Sequence, residues 1–94
     1  MNDRIIYSPS AGTLDLLRRR SGEKQDLSGC DAVGLVQGRL IDMVYAMDIA
    51  EKAAGVFALD VRGSCPQNMI MIAIYGDTAS VEEAIKEIKE KTGA

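Results

Sequence analysis

The sequence predicts an α+β fold, an antiparallel or mixed β-sheet with helices packed on it. Three observations carry this prediction. The apolar runs 56–61 and 69–75 both read as strands, and only a tight turn separates them, so they pair back antiparallel. Two other segments, 40–54 and the stretch from Val81 to Ile88, repeat apolar residues at helical spacing. The elements follow in the order strand, helix, strand, helix, strand, strand, helix, with no internal repeat.

The first strand is Arg4-Ile5-Ile6-Tyr7, broken by Ser8-Pro9-Ser10-Ala11-Gly12. Thr13 is the expected N-cap of a short helix carrying Leu14, Leu16 and Leu17. Arg18, Arg19 and Arg20 fall in its last turn, where cations complement the helix dipole, and Ser21-Gly22 ends it. The stretch 23–31 is polar and reads as a loop. Ala32-Val33-Gly34-Leu35-Val36 is nearly continuous in apolar character, as a central strand covered on both faces requires. Gln37-Gly38 is the expected turn into the next helix, 40–54. Its core stripe is expected to be Leu40, Met43, Val44, Met47, Ala50 and Ala54, with Gly55 as C′. In 56–61, Phe57, Leu59 and Val61 share one face, and Val56, Ala58 and Asp60 the other. The last helix starts at an Asp77 or Thr78 cap, with Ser80-x-x-Glu83 as a further capping signal. Val81, Ala84, Ile85 and Ile88 form its apolar stripe. Glu82–Lys86 and Glu87–Lys91 are expected i,i+4 pairs on its wet face.

Several function classes drop out on composition. At 94 residues the chain makes one domain, and one small enough that oligomerisation is the expectation. With no histidine, it lacks the usual general base and the commonest metal ligand, and no nucleophile–base pair replaces it, so the chain is not expected to be an enzyme. A net charge of −3, no Trp and a single Phe make a poor nucleic-acid binder. No apolar run is long enough to span a membrane and none follows Met1 as a secretory signal, so the expected location is cytoplasmic. In that reducing compartment Cys30 and Cys65 are not a disulfide framework.

The informative stretch lies between the two paired strands: Gly63-Ser64-Cys65-Pro66-Gln67-Asn68. Gly63 permits a positive φ and the ring of Pro66 locks its own φ at a negative value, so a single thiol is expected on a rigid connector. Cys30, after Gly29 in a loop, has nothing converging on it and reads as incidental structure. Met43, Met47, Met69 and Met71 read as core filler, and Arg18–Arg20 as a solvated helix end. Asp60 and Arg62 are either charges near the connector or at a subunit interface, or part of a solvated face.

The ordered set of these elements resembles the shell-protein domain of bacterial microcompartments. The carriers are Ala32-Val33-Gly34-Leu35-Val36, helix 40–54, strand 56–61, the Gly63-Ser64 turn, strand 69–75 and Gly76-Asp77-Thr78-Ala79-Ser80-Val81-Glu82-Glu83-Ala84. In that family another strand and short helix follow the last helix. Here the chain stops at Ala94, and a strand and short helix stand at the front instead. The chain therefore resembles the circularly permuted subclass, most of all the iron–sulfur-associated shell protein of glycyl-radical propanediol microcompartments. On this reading residues 1–94 are a single shell domain: a permuted strand and helix at 4–20, a loop at 21–31 and a main body at 32–92.

The resemblance implies a cyclic homohexamer in the microcompartment shell, tiling with neighbouring shell proteins into a layer and meeting encapsulated redox enzymes. Gly63, Ser64, Cys65 and Pro66 would line a central pore. Cys65 would be the ligand of an iron–sulfur cluster, 4Fe–4S in type, shared between subunits for electron transfer or gating. Two other functions remain open on the residues alone: the same tile with an open metabolite pore, and a small ligand-sensing regulatory module.

Overall fold

The computed structural model describes residues 1–23, 27, 29–63 and 69–93, with Met69 by its backbone only. The elements are β1 (Asn2–Tyr7), α1 (Ala11–Ser21), β2 (Ala32–Arg39), α2 (Leu40–Lys52), β3 (Val56–Val61), β4 (Met69–Gly76) and α3 (Thr78–Thr92), in the predicted order. The sheet has four strands in the order β1-β2-β4-β3. Every pairing is antiparallel, so the mixed alternative falls away.

Strand alternation divides the apolar residues into two cores, one on each sheet face. On one face Val36, Ile72 and Ile74 meet Met43, Ala46 and Ile49 of α2 and Val81, Ile85 and Ile88 of α3. On the other, Val33, Val61, Ala73 and Tyr75 meet Leu14 and Leu17 of α1. Leu27 joins this second core at 3% exposure, so the polar stretch 23–31 contributes a core side chain. Close approach is built in at Gly34, where a Cβ would lie 2.8 Å from Ile85 Cδ1. The resulting slab measures 31 × 30 × 18 Å.

Several local expectations are corrected. Ser10, not Thr13, caps α1: its Oγ accepts from the Thr13 backbone N–H at 3.2 Å, so the helix begins two residues before Thr13. Gln37-Gly38 is not a turn. Both residues sit in β2, opposite Met71 and Ile70, and Gly38 leaves room for Met43 Cε. Helix α2 ends at Lys52, with Ala53 as C-cap, and Gly55 takes the left-handed conformation at φ 79° one residue later than expected.

The largest correction concerns the face of α2. Met43 and Ala50 are buried as expected, but Ala46 and Ile49 complete the stripe. Leu40 and Val44 are 52% and 61% exposed, and Ala54 is also exposed. Both sides of this helix are apolar, so periodicity alone does not select the buried one.

Helix α3 follows its sequence closely. Asp77 Oδ1 accepts from the Ser80 N–H at 2.9 Å, which holds the Asp77 carboxyl below its ordinary pKa. Val81, Ala84, Ile85 and Ile88 are the buried stripe. Glu87–Lys91 forms at 2.8 Å. Glu82 instead accepts from the Tyr7 hydroxyl at 2.9 Å, tying α3 to β1 in place of the expected Lys86 pair. The two ends of the chain meet on this edge: Lys89 lies 3.7 Å from Asp3, and the Thr92 hydroxyl reaches Met1 Sδ at 4.0 Å.

Candidate functional site

The connection between β3 and β4 leaves the sheet after Val61 and returns at Met69. The pairs Val61↔Met71 and Arg39↔Met69 put both stems, and the start of α2, at one end of the sheet. Gly63 is exposed, and a Cβ placed on it would meet nothing within 4 Å. Ser64, Cys65 and Pro66 lie outside the described residues, as do Gln67 and Asn68.

The β3 stem is anchored to the C-terminus of α1. The Arg62 N–H donates to the Arg20 carbonyl at 2.9 Å, satisfying one of the orphan acceptors of that helix end. The guanidinium of Arg62 packs over Gly22, which takes the left-handed C-cap conformation at φ 71°. The left-handed φ favours glycine here, and the Arg62 side chain lies over the cap it forms. Within the basic turn, Arg18 and Arg19 both hydrogen-bond Asp15, at 2.9 and 3.0 Å, and hold its carboxyl below the ordinary range. Arg20 has no ion pair among the described residues and lines an open cleft of about 630 Å³ beside the stem. Arg62, Gly63, Leu16, Ile70 and Met71 line it too.

Cys30 belongs to the other end of the molecule. It stands two residues before Ala32, which pairs with Gly76. The register from Gly76 to Met69 spans seven residues, about 23 Å of strand at ~3.3 Å per residue. Cys30 is half-buried against the second core, and that burial, then the Asp31 charge, pushes its thiol pKa up. A protonated, partly buried thiol is a poor ligand. Cys30 stands at the opposite end of β4 from both stems of the connector that carries Cys65. No group of three or more His, Cys, Asp or Glu suited to a metal occurs among the described residues. The donor set fits a thiolate-bound cluster only when copies of the chain bring their Cys65 residues together.

Tyr75 supplies an unexpected feature of the second core. Its side chain is fully buried and stacks on Phe57 with centroids 5.0 Å apart. Its hydroxyl has no hydrogen-bond partner among the described residues. Burial, then the neighbouring Cys30 and Glu23, pushes its pKa up to about 12. Replacing Tyr75 with Phe is expected to stabilise the fold by about 1 kcal/mol, because a desolvated, unpaired hydroxyl is removed. The pH dependence follows from the same burial. The folded-state pKa lies above the unfolded value of 10, so the neutral phenol's contribution is complete below pH 10 and is lost as pH rises toward 12. Urea titrations of both proteins between pH 8 and pH 12 should show a steeper alkaline loss for the wild type, roughly 2–3 kcal/mol in all.

Sequence reasoning found the connector but missed its surroundings. The Arg62–Arg20 tether has no local signal, because it joins residues distant in sequence. The outward face of α2 did have one: Leu40, Ile41, Val44 and Tyr45 give that helix more apolar side chains than one sheet-facing stripe needs.

Comparison with known proteins places these features. The BMC domain family matches residues 32–94. Among solved structures, the chain is similar to the ligand-free GrpU microcompartment shell protein from Clostridiales bacterium 1_7_47FAA. The two are 50% identical over 100% of this chain and 94% of that one, with a TM-score of 0.80. It is also similar to the ligand-free GrpU microcompartment shell protein from Pectobacterium wasabiae. Here the identity is 32% over 94% of this chain and 99% of that one, with a TM-score of 0.75. Among curated proteins no match is found.

Proposed function

Since the chain belongs to the BMC-domain family of microcompartment shell proteins, which are structural and not enzymes, we propose that its β3–β4 connectors meet around the axis of a cyclic homohexamer and hold an iron–sulfur cluster there. Gly63, Ser64, Cys65 and Pro66 line the pore, and Cys65 supplies the thiolates. The observation that supports this reading is the placement of the connector's two stems. Both stems and the anchored Arg62 stand at one end of the sheet, and Cys30 stands near the opposite end. One chain offers one thiol at this place, so a cubane that takes four thiolates needs several copies. The cluster would supply one-electron transfer across the shell, or gating of the pore by its presence. Backbone N–H groups of the connector would hydrogen-bond its sulfides and tune its potential. Neighbouring shell proteins surround the hexamer in the layer, and encapsulated redox enzymes are the electron partners this reading requires.

The front of the chain is read as a circular permutation of the domain. The family match begins at residue 32, and β1 completes the sheet as an edge strand against β2. The Met1–Thr92 and Asp3–Lys89 contacts put the two ends side by side, which is what relocating terminal segments requires.

The cluster reading is tested on protein purified without oxygen. Wild-type protein should be brown with broad visible absorption, and Cys65→Ser should be colourless while keeping its far-ultraviolet circular dichroism. A wild type that stays colourless after iron and sulfide reconstitution overturns the cluster reading.

A further inference from the structure

The cleft beside the β3 stem combines an apolar lining with a surplus of positive charge. Leu16 and Leu17 of α1, Val61 of β3, Ile70 and Met71 of β4 and Leu40 at the start of α2 supply the apolar part. Leu16 and Leu40 stay 43% and 52% exposed, so this lining is open to a ligand from solvent. A volume of about 630 Å³ is also the size of a small-molecule site, for which ~300–1,000 Å³ is usual.

The charged side chains of the same cleft are Arg20, Arg62 and Asp60. Two cations face one anion, which leaves one positive charge over. Among the described residues Arg18 and Arg19 share Asp15, whereas Arg20, Arg62 and Asp60 form no ion pair, not even with one another. The two arginines are also held together. The Arg62 N–H donates to the Arg20 carbonyl at 2.9 Å, which fixes both on one wall whatever their side chains do. Like charges on one cleft repel, and an anion seated between them turns that repulsion into attraction. The planar fork of a guanidinium matches the two oxygens of a carboxylate. Gln37, whose amide adds a neutral donor, lines the cleft as well.

We propose that this cleft binds a small organic carboxylate, with its head at Arg20 and Arg62 and its hydrocarbon body against Leu16, Leu40 and Ile70. The single surplus charge of the lining suits a monoanion, and the apolar part suits a body of several carbons. The site is complete within one chain. It goes beyond the ring and cluster reading and stands or falls apart from it.

Calorimetric titration of the full-length protein with sodium hexanoate tests the site. Sodium acetate supplies the head without the body, and 1-hexanol the body without the head. Hexanoate should bind saturably at one per chain, and acetate and hexanol each at least about tenfold more weakly. Arg20→Gln and Arg62→Gln should each weaken hexanoate at least about tenfold with an unchanged circular dichroism spectrum, because their tether runs through backbone atoms and survives both changes. Asp60→Asn removes the carboxylate that opposes an anion and should tighten hexanoate severalfold. Hexanoate that does not saturate overturns the site, as does wild-type affinity in both folded arginine variants. Acetate binding as tightly as hexanoate, or weaker hexanoate binding in Asp60→Asn, overturns it too.

Discussion

Gly76→Ala is expected to destabilise the fold by about 2–4 kcal/mol, a large share of the stability of so small a domain. Gly76 ends β4, where it pairs with Ala32 of β2 and Val56 of β3. A Cβ at this position would be driven into the carbonyl oxygen of Gly55 and would stand 3.0 Å from Val56 Cγ1. The first obstacle is backbone, so it yields only if the Gly55 turn or the β3–β4 register moves. Gly76 does not have a positive φ, so the cost is steric crowding rather than a forbidden dihedral. Equilibrium urea denaturation at fixed protein concentration measures it. At roughly 4–8 °C per kcal/mol for a domain of this size, the melting temperature should fall by more than about 8 °C. Gly12→Ala is the matched control. It lies inside α1 with nothing within 4 Å of the added carbon, so helix propensity should stabilise it by up to about 1 kcal/mol. Equal effects at the two glycines would contradict the packing described around Gly55.

Ile49→Ala should cost about 2–4 kcal/mol, and Val44→Ala less than about 0.5 kcal/mol in the dissociated chain. Ile49 is 4% exposed in the core between α2, α3 and the sheet, so truncation leaves a cavity. Val44 is 61% exposed and gives up little buried surface. The comparison separates the two faces of α2 by measurement: Val44 was expected in the core from spacing, and the structure puts Ile49 there. A costly Val44→Ala in the monomer would contradict the observed orientation of the helix.

That helix shows where sequence reasoning stops. The α3 stripe was legible because its other face is charged, with Glu82, Glu83, Lys86 and Glu90, so only one orientation buries apolar surface. On α2 both faces are apolar, and the sheet decides between them. The order of elements and the bounds of β3 were readable because alternation and the Gly55 turn are local signals. The start of α1 was not, because Ser10 sits in a Ser-Pro-Ser-Ala-Gly run that also reads as a break. Leu27 was missed because one apolar residue in a polar stretch carries no period. At the candidate site, the connector and its thiol could be read from Gly63, Cys65 and Pro66, whereas the Arg62–Arg20 tether and the arginine-rimmed cleft exist only once α1 and β3 are folded together. The proposed ring rests on the family resemblance alone, since nothing within one chain encodes how many copies would meet.

On the proposed function, assembly and not the single chain makes the cluster site. Native mass and iron and sulfide content, measured together on anaerobically prepared protein, test it most directly. The expected result is a homohexamer carrying iron and inorganic sulfide in equal amounts, with both lost in Cys65→Ser and the protein mass of the particle otherwise unchanged. A wild-type hexamer without iron after reconstitution, or iron retained by the monomer, would contradict it.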